Sequence, residues 1–307
     1  MDGEPGFGIR HKDTLAARHL HAQANPRLWN MVLLRRNTRP TSRLPDAFFR
    51  RKRKPMNASI SEIRSYPVKG LSGQVLPLAS LEEGQTIPGD RRFALGRPGF
   101  AFDIENPVWM PKTNFLALVR DERLAELDAV FDEATDTLTL QQDAQTVLTA
   151  NLSSSDGRDR VEAYFAEFLA DEIDGPPTLL EAGDHSFSDL DAKVVSLINL
   201  ESVAALGLEI GADVDARRFR GNIYFKDAPA WSEFDWLDQR LRIGGAVVEV
   251  IKRTRRCAAT NVNPETATRD LNLPRALQKG FGHTDLGVYA RVVAPGEIRP
   301  GDQIIPI

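Results

Sequence analysis

One thiol stands at the end of a strongly basic segment. Cys257 is the only cysteine among 307 residues, and it follows four cationic side chains, Lys252, Arg253, Arg255 and Arg256. A thiolate is a nucleophile and a metal ligand, and nearby cations stabilise it. In an extended strand Arg253 and Arg255 share the face of Cys257, whereas Lys252 and Arg256 face the other way. The alternative interpretation, of equal weight, is a small buried hydrophobe beside a solvated basic strand.

A second basic cluster precedes an apolar run. Arg217, Arg218 and Arg220 come just before Gly221 and Asn222. Guanidinium groups match phosphate oxygens, and a glycine lets the backbone approach a ligand closely. The cluster therefore predicts a phosphate contact, and the alternative is a charged turn in front of a strand.

Further basic residues lie near glycines early in the chain. Lys69 lies in a glycine-bearing loop, and Arg91 and Arg92 follow a turn at Pro88–Asp90. Residues 1–54 hold thirteen Lys/Arg and four Asp/Glu, so the remainder holds 26 basic and 39 acidic residues. Four basic clusters within a region of net charge −13 favour a bound anion, such as a phosphate-bearing cofactor or substrate.

Residues 1–55 differ in composition from the rest of the chain. Three interpretations are open: a targeting or pro-segment, a basic arm for an acidic surface, or lead sequence before a true start at Met56. We favour the third, because a strand-like pattern begins immediately after Met56. We expect disorder or weak helix here, assign it no function, and expect a cytoplasmic protein. Mitochondrial targeting by this segment is the less favoured alternative.

The elements that must position the candidate residues are mainly strands. From Ile60 onward, short apolar runs alternate with turns, which predicts an antiparallel barrel or sandwich. A helix is predicted after Ser154, and a short helix from Asn199 to near Gly207. Residues 274–282 are predicted to form a short helix or a turn, and a domain boundary is predicted at Gly175–Thr178. The predicted fold is mainly β with helical insertions (α+β), divided into segments 1–55, 56–176 and 177–307.

The composition excludes several classes of protein. One cysteine cannot form an intramolecular disulfide, a four-thiolate iron–sulfur cluster or a Cys-rich zinc site within one chain. No stretch approaches about 18 uninterrupted apolar residues, so no membrane span is predicted. A net charge of −4 does not indicate a protein whose surface as a whole binds nucleic acid. No P-loop, dinucleotide fingerprint or nucleophile elbow is present, and His185 and His283 are too far apart in sequence to argue for a metal pair.

Six short motifs occur in an order found in a known family. They are YPVKG, GDRRFAL, RFRGNI, RRCAATNVNPET, GVYARV and GEIRPGDQI. With the cysteine so placed, residues 58–307 resemble MOSC-domain proteins that carry an N-terminal β-barrel domain. That group includes the mitochondrial amidoxime-reducing component and its bacterial relatives. The resemblance implies an N-terminal β-barrel-like domain followed by a MOSC β-barrel domain.

The resemblance also implies a cofactor and the residues that hold it. Members bind the molybdenum cofactor, a pterin with a dithiolene and a phosphate, and Cys257 matches the catalytic cysteine that ligates molybdenum. The resemblance also implies pyridoxal phosphate as a further ligand. Gly70 and Leu190–Asp191 stand where the family has hydroxyl residues, Arg255 where it has a small one, and Asn263–Pro264 where it has Asp–Pro. The positions that match cofactor contacts are Lys69, Arg92, Asp189, Arg220, Asn222, Arg256 and Tyr289.

By resemblance, the chain is a molybdenum-dependent oxidoreductase that reduces N-hydroxylated or N-oxygenated compounds to the amine or amidine plus water. Because no second cysteine exists for a fused iron–sulfur domain, electrons are expected from a separate ferredoxin, cytochrome b5-like protein or flavin reductase. Two alternatives stay open. One is a non-redox carrier of molybdenum cofactor or sulfur, similar to the C-terminal part of cofactor sulfurases. The other is a phosphate-ligand binding module with an inert cysteine.

Overall fold

A large mixed sheet carries most of the structure. The computed structural model describes residues 58–103 and 106–307, so the expectations for residues 1–55 lie outside the described residues. The described residues belong to one compact unit that runs to Ile307. They contain fifteen strands and three α-helices, together with short 3-10 helices. The prediction of a mainly β fold with helical insertions is therefore confirmed.

The strands are three to ten residues long and the α-helices nine to fourteen. Strands β1 to β8 are Ser59–Ser65, Gln74–Leu76, Ala79–Leu81, Phe93–Gly96, Asp128–Asp132, Thr137–Gln142, Gln145–Asn151 and Thr178–Glu181. Strands β9 to β15 are Val195–Asn199, Ile223–Lys226, Arg240–Ile243, Ala246–Arg255, Asp285–Ala294, Gly296–Ile298 and Ile304–Pro306. Helices α1 to α3 are Ser155–Phe168, Leu200–Ile210 and Leu273–Phe281. None of the described helices is long and apolar enough to cross a membrane.

Eight strands form one sheet in the order β15-β11-β12-β13-β9-β10-β1-β2. Neighbouring strands are antiparallel, except that β9 and β10 run parallel. In β12, Ala246, Val248 and Val250 are buried, and the residues between them are partly exposed. This period of two places one face of the strand against the main hydrophobic core.

A second hydrophobic cluster lies among β5, β6, β7 and α1. The Ser154 hydroxyl accepts a hydrogen bond from the Gly157 amide at 3.0 Å and so caps α1. Val161, Phe165 and Leu169 recur at helical spacing and are buried. The helix predicted after Ser154 is therefore confirmed.

The second helix is longer than the sequence predicted. It begins after the Asn199 cap, as expected, but it ends at Ile210 and not near Gly207. Gly211, with a φ of 65°, takes the left-handed conformation that closes the helix. Gly207 lies inside the helix, where a Cβ would stand 2.8 Å from the Ala212 carbonyl oxygen. That glycine therefore serves close packing and not termination.

Both halves of the chain contribute to the eight-stranded sheet. β1 and β2 precede the predicted boundary at Gly175–Thr178, yet β1 pairs with β10 after it. The Arg64 amide also donates to the Asn222 carbonyl at 2.8 Å. The division into residues 56–176 and 177–307 stays a prediction. For the site, the pairing means that residues from both halves meet at one end of the sheet.

Candidate functional site

A cavity of about 110 Å³ opens where β12 ends. Lys69 reaches it from the loop after β1, and Asp189 reaches it from the segment between β8 and β9. Asn222 directly precedes β10, Tyr289 lies on β13, and Cys257 follows the last residue of β12 by two positions. The sheet thus gathers five chemically distinct side chains at the ends and edges of its strands.

Seven of the eight predicted site residues line this cavity, and Arg92 does not. Arg92 bonds Asp136 at 2.6 Å and Glu181 at 2.7 Å instead. Arg91 lines the cavity, and its left-handed backbone, with a φ of 54°, turns the chain between the two arginines. The arginine that the GDRRFAL motif brings to the cavity is therefore Arg91. The seven lining residues are Lys69, Asp189, Arg220, Asn222, Arg256, Cys257 and Tyr289.

Only part of the basic segment at the end of β12 reaches the cavity. The pairing register shifts there, because Arg253 pairs with Val288 and Arg255 with Asp285, which leaves an extra residue on β13 and not on β12. Arg255, Arg256 and Cys257 line the cavity. Arg253 lies over the ring of Phe234, with 4.2 Å between its guanidinium carbon and the ring centroid. Arg253, predicted to share the strand face of Cys257, therefore does not line the cavity.

Arg256 is buried and bonded to the backbone. Its Nε donates to the Leu286 carbonyl at 2.8 Å, and its Nη1 donates to the Phe219 carbonyl at 2.9 Å. Burial lowers the pKa of Arg256. A guanidinium has five N–H donors, so these carbonyls orient the group without exhausting its capacity to bind an anion.

A chain of charged groups links Lys69 to Cys257. The Lys69 ammonium donates to Asp189 Oδ1 at 2.8 Å and to the Phe187 carbonyl at 2.8 Å. Lys112 Nζ lies 3.4 Å from Asp189 Oδ2 and 3.2 Å from Cys257 Sγ. Asp189 therefore joins two lysines, and the second lysine reaches the thiol.

Sequence reasoning missed Lys112. It opens a short 3-10 helix, Lys112–Asn114, between β4 and β5. No other basic residue and no glycine lies near it in that loop, and the preceding Pro111 signals only a turn. Its contact with Cys257 spans 145 residues, so no local pattern in the sequence could have revealed it.

Burial and charge act on this chain of groups in opposite directions. Burial lowers the pKa of Lys69, and Asp189 offsets part of that effect. The Asp189 side chain is 46% exposed, and its partial removal from water would by itself raise its pKa. Lys69 and Lys112 outweigh that effect and hold the pKa of Asp189 well below its usual range. Burial also disfavours the Lys112 ammonium, but Asp189 and Cys257 outweigh burial and raise the pKa of Lys112. The Asp189 carboxylate therefore stabilises the charged form of both lysines.

Two arginines from distant parts of the chain meet on the ring of Tyr66. The guanidinium carbons of Arg91 and Arg220 lie 4.8 Å and 4.5 Å from the ring centroid. Arg91 Nη2 donates to the Arg220 carbonyl at 3.0 Å, and Arg220 Nη1 donates to the Leu71 carbonyl at 2.6 Å. Burial raises the pKa of Tyr66, so the ring is held as a neutral phenol. Tyr66, a residue that the sequence did not single out, positions both cations.

Asn222 uses its side-chain amide within the protein. Its Oδ1 accepts from the Ser196 hydroxyl at 2.8 Å and from the Ser196 amide at 3.1 Å. Its Nδ2 donates to the Arg64 carbonyl at 3.3 Å. These bonds join β1, β9 and the start of β10 at the cavity, so Asn222 has a structural role, and its predicted cofactor contact stays a prediction.

Several polar groups at the cavity lack a partner in the described part of the chain. Thr254 Oγ1 and Arg218 Nε are buried without a hydrogen bond. Arg220, Arg255 and Arg256 form no ion pair with a described carboxylate. Buried polar groups are nearly always satisfied, and unpaired cations attract anions, so this cavity suits an anionic ligand.

The donor set also limits how a metal could be held. In residues 58–103 and 106–307, no group of three or more His, Cys, Asp or Glu side chains could hold a metal ion. A metal at Cys257 would therefore take its other ligands from a bound molecule. A soft thiolate beside unpaired guanidinium groups fits a cofactor that brings its own sulfur ligands and a phosphate.

Comparison with known proteins identifies one family. Residues 182–305 match the family model of the MOSC domain. No curated protein matches the chain. YiiM from Geobacillus stearothermophilus is similar over 37% of this chain and 53% of its own, with 21% identity and a TM-score of 0.30. YiiM from Escherichia coli is similar over the same shares, with 17% identity and a TM-score of 0.28.

A third solved structure is similar over more of the chain. The YUAD protein from Bacillus subtilis is similar over 82% of this chain and 96% of its own, with 11% identity and a TM-score of 0.39. By contrast, the present chain spans about half the length of the YiiM chains that it matches.

The family match covers most of the cavity. It includes Cys257, Arg256 and Tyr289, whereas Lys69 and Lys112 lie outside it. MOSC domains are associated with the molybdenum cofactor, so the match supports a role related to that cofactor. Residues 182–305 of this chain match the MOSC domain, which agrees with the family resemblance of the motifs.

Proposed function

We propose that the cavity binds the molybdenum cofactor and that the protein is an oxidoreductase for N-hydroxylated or N-oxygenated compounds. The observation that carries the proposal is the meeting of the only cysteine with cations that have no carboxylate partner in the described residues. A thiol alone predicts a nucleophile, and cations alone predict an anion site. Together they suit a cofactor that carries both a soft metal and a phosphate.

Each side chain has a separate task in this proposal. Cys257 Sγ would be the protein ligand to molybdenum. Arg220 and Arg256 would hold the pterin and its phosphate, because backbone carbonyls orient both guanidinium groups. Arg91 would take the task predicted for Arg92, because Arg91 lines the cavity.

The proposed reaction cleaves an N–O bond. An N-hydroxylated amidine takes up two electrons and two protons and gives the amidine and one water. When bound, the cofactor supplies the oxygen-transfer and redox chemistry, and the protein supplies binding and electrostatics. Lys112 Nζ, 3.2 Å from Cys257 Sγ, can hold a proton beside the reacting centre.

The proposal includes a separate electron donor. The one cysteine of this chain cannot hold a four-thiolate iron–sulfur cluster, and we propose that a ferredoxin, a cytochrome b5-like protein or a flavin reductase supplies the electrons. Purified protein is expected not to turn over with NADH alone, and turnover without an added donor protein would contradict this. A lone thiol also fits a reducing compartment, on which we base a cytoplasmic location. Pyridoxal phosphate binding stays a prediction from the resemblance alone.

A second candidate is a non-redox carrier of molybdenum cofactor or sulfur. It is favoured by Cys257, which is only half-buried and lines an open cavity from which a bound group could be handed on. The two candidates differ in stoichiometry. A reductase forms many product molecules per chain when a donor is supplied, whereas a carrier transfers at most one equivalent.

Elemental analysis tests the cofactor proposal. Wild-type protein from a host that makes the cofactor is expected to contain close to one molybdenum atom per chain. Cys257→Ala is expected to lose it. Cys257→Ser is the matched control, since it keeps size and polarity but removes the soft sulfur, and circular dichroism checks that both variants fold. Equal molybdenum in all three proteins would remove Cys257 as a ligand, and none in wild type would overturn the proposal.

A further inference from the structure

The cavity has a buried end and an open side, and cations stand at both. At the buried end, Lys69 is 7% exposed and Arg256 is 9% exposed, and backbone carbonyls bond both side chains. At the open side, Arg255 is exposed and the Lys112 side chain is 32% exposed. The buried cations suit a resident group, whereas the exposed ones face whatever enters afterwards.

The cavity carries excess positive charge after its ion pairs are counted. Seven cationic side chains and two carboxylates line it. Asp189 contacts both lysines and balances one charge, and Asp90 pairs with Arg91. Asp270 does not line the cavity but pairs with Arg218. Four positive charges therefore remain in excess. A phosphate monoester carries about −1.5 to −2 at neutral pH. Positive charge therefore remains even when a phosphate and a Cys257 thiolate are both present.

Arg255 is the cation best placed to meet a second anion. It precedes Cys257 by two residues, and the backbone of Cys257 is extended, with φ −120° and ψ 178°. Alternate residues of an extended segment share a side, and exposure alternates accordingly: Arg255 is exposed, Arg256 buried and Cys257 half-buried. The Arg255 side chain makes no hydrogen bond or ion pair with any described residue. Its five N–H donors are therefore available beside the thiol.

We propose that this open side selects small molecules that carry negative charge, with Arg255 and Lys112 as the specificity-determining residues. The inference rests on the proposed function for the reaction and deepens it by naming the substrate class. That class is N-oxygenated compounds that bear a carboxylate or phosphate group, in preference to neutral or cationic ones. A cleft with one sign of charge raises the local concentration of the opposite ion, and a guanidinium fork matches two oxygens of a carboxylate or phosphate.

The single cysteine provides a probe that needs no cofactor. In the cofactor-free full chain, Cys257 is the only thiol that iodoacetate and iodoacetamide can alkylate, and Sγ displaces iodide from either reagent. The two reagents differ in charge and hardly in size. The ratio of their rate constants at one pH cancels the fraction of ionised thiol and reports the electrostatic potential at Sγ. We expect wild type to favour iodoacetate several-fold more than N-acetylcysteine amide, a neutral thiol, does.

Substitutions test which side chains cause the preference for iodoacetate. Arg255→Gln and Lys112→Gln are each expected to lower the iodoacetate-to-iodoacetamide ratio by about threefold, as for one charge at short range in a partly solvated site. Molar salt is expected to abolish the difference. Arg242→Gln is the matched control. Arg242 pairs with Val247, which precedes Arg255 by eight residues in β12, or roughly 26 Å, well beyond the screening length of about 8–10 Å.

The outcomes separate this inference from the proposed function. An unchanged ratio in Arg255→Gln, or an equal fall in Arg242→Gln, overturns charge selection. Full molybdenum content without any iodoacetate preference overturns charge selection alone. A clear preference in a chain that never acquires molybdenum supports charge selection and overturns the cofactor proposal alone.

Discussion

Lys112 Nζ lies 3.2 Å from Cys257 Sγ, although 145 residues separate them in the chain. Lys112 belongs to the loop between β4 and β5, outside the MOSC segment 182–305, whereas Cys257 lies within that segment. Asp189 completes the contact, because its carboxylate also bonds Lys112. The cysteine of the segment that matches the MOSC domain therefore takes a cationic neighbour from outside that segment.

This contact predicts a specific chemical cross-link. The shortest reagents that join an amine to a thiol are expected to link Lys112 to Cys257, because no large movement is needed to bring Nζ and Sγ together. Peptide mass spectrometry of the digested protein identifies the linked pair. Lys112→Arg keeps the charge but removes the amine, so it serves as the control. A product that joins Cys257 to a different lysine in wild type would contradict the contact.

The charge of Asp189 predicts a pH-dependent stability. Asp189→Asn leaves the buried Lys69 ammonium without its carboxylate, and we expect a loss of about 1–3 kcal/mol at pH 7. This is less than for a fully buried pair, because the Asp189 side chain is 46% exposed. The folded pKa of Asp189 lies below its unfolded value. Its contribution is therefore complete above the unfolded pKa of about 3.9 and is lost as the pH falls towards the folded pKa.

Urea unfolding of wild type and Asp189→Asn at neutral and acid pH measures this difference. The gap between the two proteins should shrink as the pH falls below about 4. Lys69→Met is the matched comparison; we expect it to cost less at pH 7, because it removes the buried charge and does not strand it. A gap that stays constant across this pH range would show that the carboxylate charge is not the cause.

The conformation of Gly70 predicts a cost for any side chain there. Gly70 has a φ of 93°, and a Cβ would stand 2.8 Å from the Leu116 carbonyl oxygen. Gly70→Ala is therefore expected to destabilise the protein by roughly 2–3 kcal/mol. Gly84 has a φ of 69° with no atom within 4 Å of a Cβ, so Gly84→Ala should cost only about 1 kcal/mol. Thermal midpoints compare the two variants, and equal shifts would refute the packing argument.

The positions of Arg92 and Arg220 predict different effects of their substitution on molybdenum content. Arg92→Gln breaks partly exposed ion pairs with Asp136 and Glu181, so we expect a loss of about 1 kcal/mol in stability and unchanged molybdenum per chain. Arg220→Gln removes a guanidinium that lines the cavity, so molybdenum per chain should fall. Elemental analysis of both variants decides the matter. A loss of molybdenum in Arg92→Gln alone would restore the original prediction for that residue.

The sequence alone predicted much of the fold, because local rules govern its elements. Alternating apolar residues in β12 and the Ser154 cap of α1 are visible in the printed sequence, and both elements were confirmed. The end of α2 was not, because a glycine inside a helix and a glycine at its end look alike in sequence. Gly207 is inside the helix and Gly211 at its end, and only the backbone conformation distinguishes them.

For the site, the sequence by itself determined which chemistry is available: one thiol, clustered guanidinium groups, and no other cysteine to hold a metal. The tertiary structure decided which of these groups meet. A left-handed turn selected Arg91 over Arg92, and Arg253 packs over Phe234 whereas Arg255 lines the cavity. Lys112 reaches the thiol across 145 residues. The physical reason is that composition and periodicity are local, whereas a cavity forms where strands distant in sequence end side by side.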